Sequence, residues 1–202
     1  MEQIIITGFG PFGPYKYNPT QDMVEYFSTK TVAGYSIKSI VLPTEYFAFR
    51  RLRVQIEKVR PVAIISTGLS SSVKGLRIET TGRNIMNGKY PDVNGLSPRN
   101  AKISQTGREF VAINTDAVRY ANLLHENDIA VEISADAESY TCNALIYETG
   151  KYLKENSLDI KQFFLHTPWT DKYLNKIDLD AHKIMIKEGD FFKAIELIIE
   201  NL

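Results

Sequence analysis

Cysteine is almost absent. Cys142 is the single one in 202 residues, so no intrachain disulfide can form. Neither sign of charge prevails. Lys plus Arg and Asp plus Glu number 24 each, which removes the positive excess that a nucleic-acid surface needs, leaving only room for a local basic patch. No apolar run reaches the roughly 18 residues required to span a bilayer, so no membrane partner is expected. Met1-Glu2-Gln3 leads straight into Ile4-Ile5-Ile6 without a basic region before a long apolar stretch, and the expected location is the cytoplasm. One cysteine and three dispersed histidines show no short ligand spacing, so no metal is expected, and with the dinucleotide fingerprint absent no organic cofactor is expected. There is no internal repeat, low-complexity tract or dividing linker. One domain over residues 1–202 is expected, long enough for one sizeable core.

What remains is a succession of short apolar runs and amphipathic stretches. Strands are predicted at Glu2–Thr7, Ser36–Leu42, Val62–Ser66, Ile129–Ser134 and Gln162–Leu165. Helices are predicted between them: one capped by Thr20 that carries Met23, Val24 and Phe27, one with Ala48, Leu52, Ile56 and Val59 stopped by Pro61, and one over Thr115–Glu126. A further helix begins near Cys142 and runs to about Leu153, and the last covers about Asp190–Glu200. Gly8-Phe9-Gly10-Pro11-Phe12-Gly13-Pro14 is a loop, in which prolines remove donors and no Gly-Lys-Ser/Thr ending follows, so it is a poor phosphate cradle. Residues 70–100 show weak periodicity, and an excursion of that length usually serves a site or an interface. The alternation predicts an α/β fold: a single-domain three-layer sandwich with a mainly parallel twisted sheet and helices on both faces.

In such sheets function gathers beyond the carboxyl ends of the strands. Cys142 follows one strand through the loop 135–141 and opens a helix, where unpaired N–H groups and the axial dipole stabilise a thiolate. His166 directly follows the strand ending at Leu165, and Glu79 lies in the excursion. A thiol needs a base to become a nucleophile, and a carboxylate can orient that base. Residue type alone leaves alternatives open. A lone cysteine is more often a small buried hydrophobe, and 24 carboxylates compete for the orienting role. His125 is expected to be structural near a helix end, and His182, in the charged run 178–187, to lie on the surface.

Four segments give the set a sharper meaning: Thr7-Gly8-Phe9-Gly10-Pro11-Phe12 with Asn18-Pro19-Thr20; Gly68-Leu69 with Glu79 and Pro91-Asp92-Val93-Asn94-Gly95; Ser139-Tyr140-Thr141-Cys142-Asn143; and Phe164-Leu165-His166-Thr167-Pro168. In this order and separation they cover most of the chain, and the chain resembles the pyroglutamyl peptidase I (pyrrolidone carboxyl peptidase) family of cysteine peptidases. The resemblance implies a triad of Cys142, His166 and Glu79, acting through a thioester on peptides with N-terminal pyroglutamate. It implies a lactam pocket shaped by Phe9 and Phe12, with Asn18 supporting the loops, main-chain groups near Leu69 reading the ring amide and Lys89 near the oxyanion. It also implies a homo-oligomer, tetramer or dimer.

The chain departs from the family pattern at Thr80 and Lys89, where the family has arginines, at Ser72-Val73, where it has Gly-Arg, and at Glu138, where glycine would hold a backbone shape near the nucleophile. These departures keep two other functions in view: a related thiol amidase with another substrate, and a non-enzymatic binding or assembly protein on the same fold.

Overall fold

The computed structural model describes residues 1–177 and 185–202; His182 falls outside them. The chain runs β1 (Gln3–Phe9), α1 (Pro19–Phe27), β2 (Thr31–Val32), β3 (Tyr35–Leu42), α2 (Phe49–Val59), β4 (Ala63–Leu69), β5 (Leu76–Glu79) and β6 (Thr81–Arg83). It continues through β7 (Phe110–Ala112), α3 (Ala117–His125), β8 (Val131–Ser134), α4 (Thr141–Glu155), β9 (Lys161–Thr167), β10 (Trp169–Thr170), β11 (Met185–Ile186) and α5 (Glu188–Glu200).

Seven strands form the central sheet in the order β2-β3-β1-β4-β9-β5-β8. The pairs β3–β1, β1–β4, β4–β9 and β5–β8 are parallel, and β2–β3 and β9–β5 are antiparallel. The sheet is therefore mainly parallel. Its central strands β1, β4 and β9 are buried on both faces because both faces are covered. Alternate residues belong to different layers. Ile4, Ile6, Ile65, Phe163 and Leu165 pack with α1, α3 and α5, while Ile5, Ile64 and Phe164 pack with α2 and α4. That is the expected three-layer sandwich. No helix among the described residues is long and apolar enough to cross a membrane.

Three details differ from the sequence expectation. The cap of α1 is Asn18, not Thr20: Asn18 has extended backbone, its side-chain oxygen accepts from the Thr20 N–H at 3.1 Å, and Pro19 takes the first helical turn. Thr20 is instead drawn inward, its hydroxyl accepting from the Phe9 N–H at 2.9 Å. The excursion after β4 contains a strand of the main sheet, β5. Only four residues long, it is held by pairing with β8 and β9 rather than by its own periodicity. His166 lies within β9 rather than after it, because pairing with β4 continues through Leu69 and Thr167.

Phe163 is 1% exposed in the layer under α3 and α5. Phe163→Ala is expected to lower unfolding free energy by about 3–5 kcal/mol, through lost burial plus the cavity it leaves. Urea denaturation followed by circular dichroism measures it.

Candidate active site

Strand parity decides which polar side chains meet. On β9, Phe163 and Leu165 face α1, α3 and α5, so Phe164 and His166 face the layer of α2 and α4. On β5, Ile78 joins the first layer, which turns Glu79 to the second. These strands run antiparallel with Arg77 opposite His166 and Ile78 opposite Leu165. Glu79 is then the diagonal neighbour of His166 on one face, within reach of a long side chain. His166 Nδ1 lies 2.8 Å from Glu79 Oε1. The two residues are 5% and 0% exposed, and Glu79 Oε2 has no hydrogen-bond partner among the described residues.

Cys142 reaches the same place from α4, as its second residue. No side chain caps this helix, so the early N–H groups of its first turn are not claimed by a cap. Gly68 pairs with His166 across β4 and β9. A Cβ at Gly68 would stand 2.7 Å from Cys142 Sγ and 3.2 Å from His166 Cδ2, so the missing side chain is what lets sulfur and imidazole approach. Burial alone would pull the His166 pKa down. The charge and hydrogen bond of the Cys142 sulfur, together with the Glu79 carboxylate, outweigh burial and push it up to about 9. Nδ1 is engaged by Glu79, which leaves Nε2 for the sulfur. The arrangement can hold an imidazolium beside a sulfur nucleophile.

The residue after Cys142 holds the sulfur in place. Asn143 is fully buried; its Oδ1 accepts from the Arg83 N–H at 2.8 Å, and its Nδ2 donates to the carbonyls of Arg83 and Ile85, each at 2.9 Å. This ties the first turn of α4 to β6. The loop before Cys142 is held as firmly. Arg83 Nη2 lies 2.9 Å from Asp136 Oδ1 and donates to the Glu138 carbonyl at 3.0 Å, and Ser139 Oγ donates to the Asn87 carbonyl at 2.7 Å. Glu138 has φ 62°, the left-handed region that glycine enters at no cost. A carboxylate-bearing residue occupies that shape here because both flanks fix it.

Cys142 and His166 open on a cavity of about 230 Å³. Phe12, Tyr15, Tyr140 and Trp169 form an aromatic wall; ring centroids are 5.3 Å apart for Phe12–Tyr15, 5.5 Å for Tyr15–Trp169 and 6.0 Å for Phe12–Tyr140. Leu69 and Lys89 also line it. Phe9 does not. It sits 2% exposed in the core with Ile5 and Phe164, because it shares the parity of Ile5 on β1. Asn18 lies outside the lining too. It acts on the loop, its Nδ2 donating to the Gly10 carbonyl at 3.0 Å. The wall residues Tyr15, Tyr140 and Trp169 and the clamp of Asn143 and Arg83 were not singled out for these roles from the sequence. The one tryptophan beside His166-Thr167-Pro168, and the asparagine next to the one cysteine, were the available signals.

A family model for pyroglutamyl peptidases matches residues 2–196. The chain belongs to the pyroglutamyl peptidase family. The pyrrolidone-carboxylate peptidase of Oceanobacillus iheyensis is 31% identical over 200 residues, covering 98% of each chain, and that of Thermococcus litoralis is 29% identical over 204 residues, covering 99% of this chain and 92% of its own. The solved pyrrolidone carboxyl peptidase from Thermococcus litoralis superposes with a TM-score of 0.92 at 28% identity, covering 99% of this chain and 92% of that one. Membership of the pyroglutamyl peptidase family makes this chain an enzyme of the cysteine-peptidase type.

Two predictions follow from the geometry. Gly68→Ala is expected to displace Cys142 Sγ and slow its alkylation by iodoacetamide by at least about tenfold while the fold persists, as read from the alkylation rate and the circular dichroism spectrum. Glu79→Gln is expected to lower the His166 pKa from about 9, as measured by nuclear magnetic resonance titration of the ring protons. Because the folded value is raised above 6.5, the stability carried by the charged imidazole is complete below about pH 6.5 and is lost as pH rises through about 9. The stability gap between wild type and Glu79→Gln should therefore narrow across that window.

Proposed function

We propose that the enzyme hydrolyses the bond following an N-terminal pyroglutamyl residue, with Cys142 as nucleophile, His166 as base and then acid, and Glu79 as the residue that orients His166. The convergence of Cys142 and His166 on an aromatic-walled cavity, with the buried Glu79 bonded to the imidazole from behind, carries this proposal. The relatives are pyrrolidone-carboxylate peptidases, which supports the substrate.

The proton of the Cys142 thiol passes to His166 Nε2, and Sγ attacks the pyroglutamyl carbonyl carbon. The negative oxygen faces the uncapped N–H groups at the start of α4, with the Lys89 ammonium on the same cavity. His166 returns its proton to the leaving amine as the C–N bond breaks, which leaves a pyroglutamyl thioester. Water, deprotonated by His166, then attacks the thioester carbon. The C–S bond breaks, pyroglutamate leaves and the thiol is restored. Glu79 keeps Nδ1 protonated and stabilises the imidazolium throughout.

The selectivity has a physical basis. Pyroglutamate is neutral and lacks a free α-amine. An aromatic cavity accepts the flat lactam, whereas a glutamate would have to strip water from an ammonium and a carboxylate. A thiol nucleophile also demands reducing conditions, which suits the cytoplasm.

Release of a fluorescent amine from a pyroglutamyl amide under reducing conditions tests the proposal. Cys142→Ala is expected to reduce turnover by roughly 10⁴–10⁶-fold with little change in thermal unfolding, and Glu79→Gln by roughly 10²–10⁴-fold while leaving the thiol open to alkylation. Full activity in Cys142→Ala would overturn the assignment. A folded protein with a reactive thiol and no release would point to a different amide.

A further inference from the structure

Resting on the pyroglutamyl reading of the site, we infer that Glu138 determines specificity on the leaving side of the scissile bond: its carboxylate favours peptides in which the residue after pyroglutamate is basic and disfavours those in which it is acidic.

The cavity lining has two chemistries. Phe12, Tyr15, Tyr140 and Trp169 present rings in mutual contact. Lys89 and Tyr90 join the rings, the Lys89 ammonium 5.3 Å from the Tyr90 ring centroid and Tyr90 packed over Gly13 in the loop that carries Phe12. Ser71, Ser72 and Glu138 are the polar part of the lining, and all three are exposed. Ser70 Oγ and Ser72 Oγ are 2.9 Å apart, and Ser72 Oγ stands 3.5 Å from Glu138 Oε1. A neutral lactam is best placed against the rings. The remainder of the peptide must then leave toward solvent across the serine rim, past Glu138.

Glu138 is built to keep its charge at that rim. Its φ of 62° is fixed from both sides, the N–H donating to Asp136 Oδ1 at 2.9 Å and the carbonyl accepting from Arg83 Nη2 at 3.0 Å. The side chain therefore leaves the loop in a set direction. Arg83 spends its guanidinium on Asp136 and on the Glu138 backbone, and the Glu138 carboxylate forms no ion pair with any described cation. The charge is neutralised neither by a neighbour nor by burial. A free carboxylate four residues before the nucleophile must act on whatever passes it.

A solvent-exposed pair of charges changes a rate by only a few fold. The expected preference is about 2- to 5-fold for Lys over Gln and for Gln over Glu in the position after pyroglutamate, hence roughly tenfold between Lys and Glu. It should shrink at high ionic strength.

The test measures kcat/KM for pyroglutamyl peptides bearing Lys, Gln or Glu next, at low and high salt, in wild type and Glu138→Gln. In parallel it measures the ratio of Cys142 alkylation by iodoacetate to that by iodoacetamide. The proposal expects Lys above Gln above Glu in wild type, collapse of the Lys-to-Glu ratio in Glu138→Gln, and a rise of the iodoacetate-to-iodoacetamide ratio in the same variant. Glu138→Gly, which relaxes the left-handed backbone, should collapse the ratio in the same way and serves if Glu138→Gln fails to fold. An unchanged Lys-to-Glu ratio in these variants overturns the inference. If no pyroglutamyl peptide is cleaved, the functional reading fails on its own. The alkylation ratio then still decides the rim: unchanged by loss of Glu138, it overturns the inference as well.

Discussion

A carboxyl and an imidazole buried in the sheet, 2.8 Å apart, constrain everything around them. Inside a protein neither charge is tolerated without a partner, and removing one member of such a pair typically costs about 3–5 kcal/mol. Glu79 is fixed by β5, which reverses direction against β9 and so turns its last residue toward His166. The antiparallel join in an otherwise parallel region of the sheet is what delivers the carboxylate. The Cys142 sulfur completes the set from the other side, and together they hold the imidazole in its charged form up to about pH 9 against the pull of burial.

Close approach is the second constraint. Gly68 leaves the space in which sulfur and imidazole meet, and Asn143 anchors the turn that carries the sulfur to β6. Arg83 joins these regions, since its backbone receives Asn143 and its guanidinium holds the loop before Cys142. Cys142 is thus braced before and after by one short strand, β6. Precision at the site comes from strands and a helix start rather than from free loops.

Much of this was legible in the sequence, for reasons that can be named. Runs such as Ile4-Ile5-Ile6 and Phe163-Phe164-Leu165 announce strands covered on both faces, and α2 and α5 announce themselves by apolar spacing. The triad candidates came from a lone cysteine at a helix start, a histidine at a strand end and a family resemblance. β5 was not legible: Leu76–Glu79 is too short to show a period, and its place depends on partners 55 and more residues away. Phe9 was expected in the pocket wall, but its side on β1 is set by parity with Ile5, which only the sheet register reveals. Glu138 shows the reverse case. The sequence flagged it as a place where glycine would hold a special backbone shape, and the backbone there is left-handed even with glutamate present.

In the proposed mechanism Sγ of Cys142 carries the pyroglutamyl group, in the cavity it shares with His166. Peptide mapping of the protein after inactivation by a pyroglutamyl chloromethyl ketone tests it most directly. One label per chain is expected, on Cys142, accumulating in step with the loss of activity. Stoichiometric label on Cys142 with activity retained, or inactivation with the label on another residue, would contradict it.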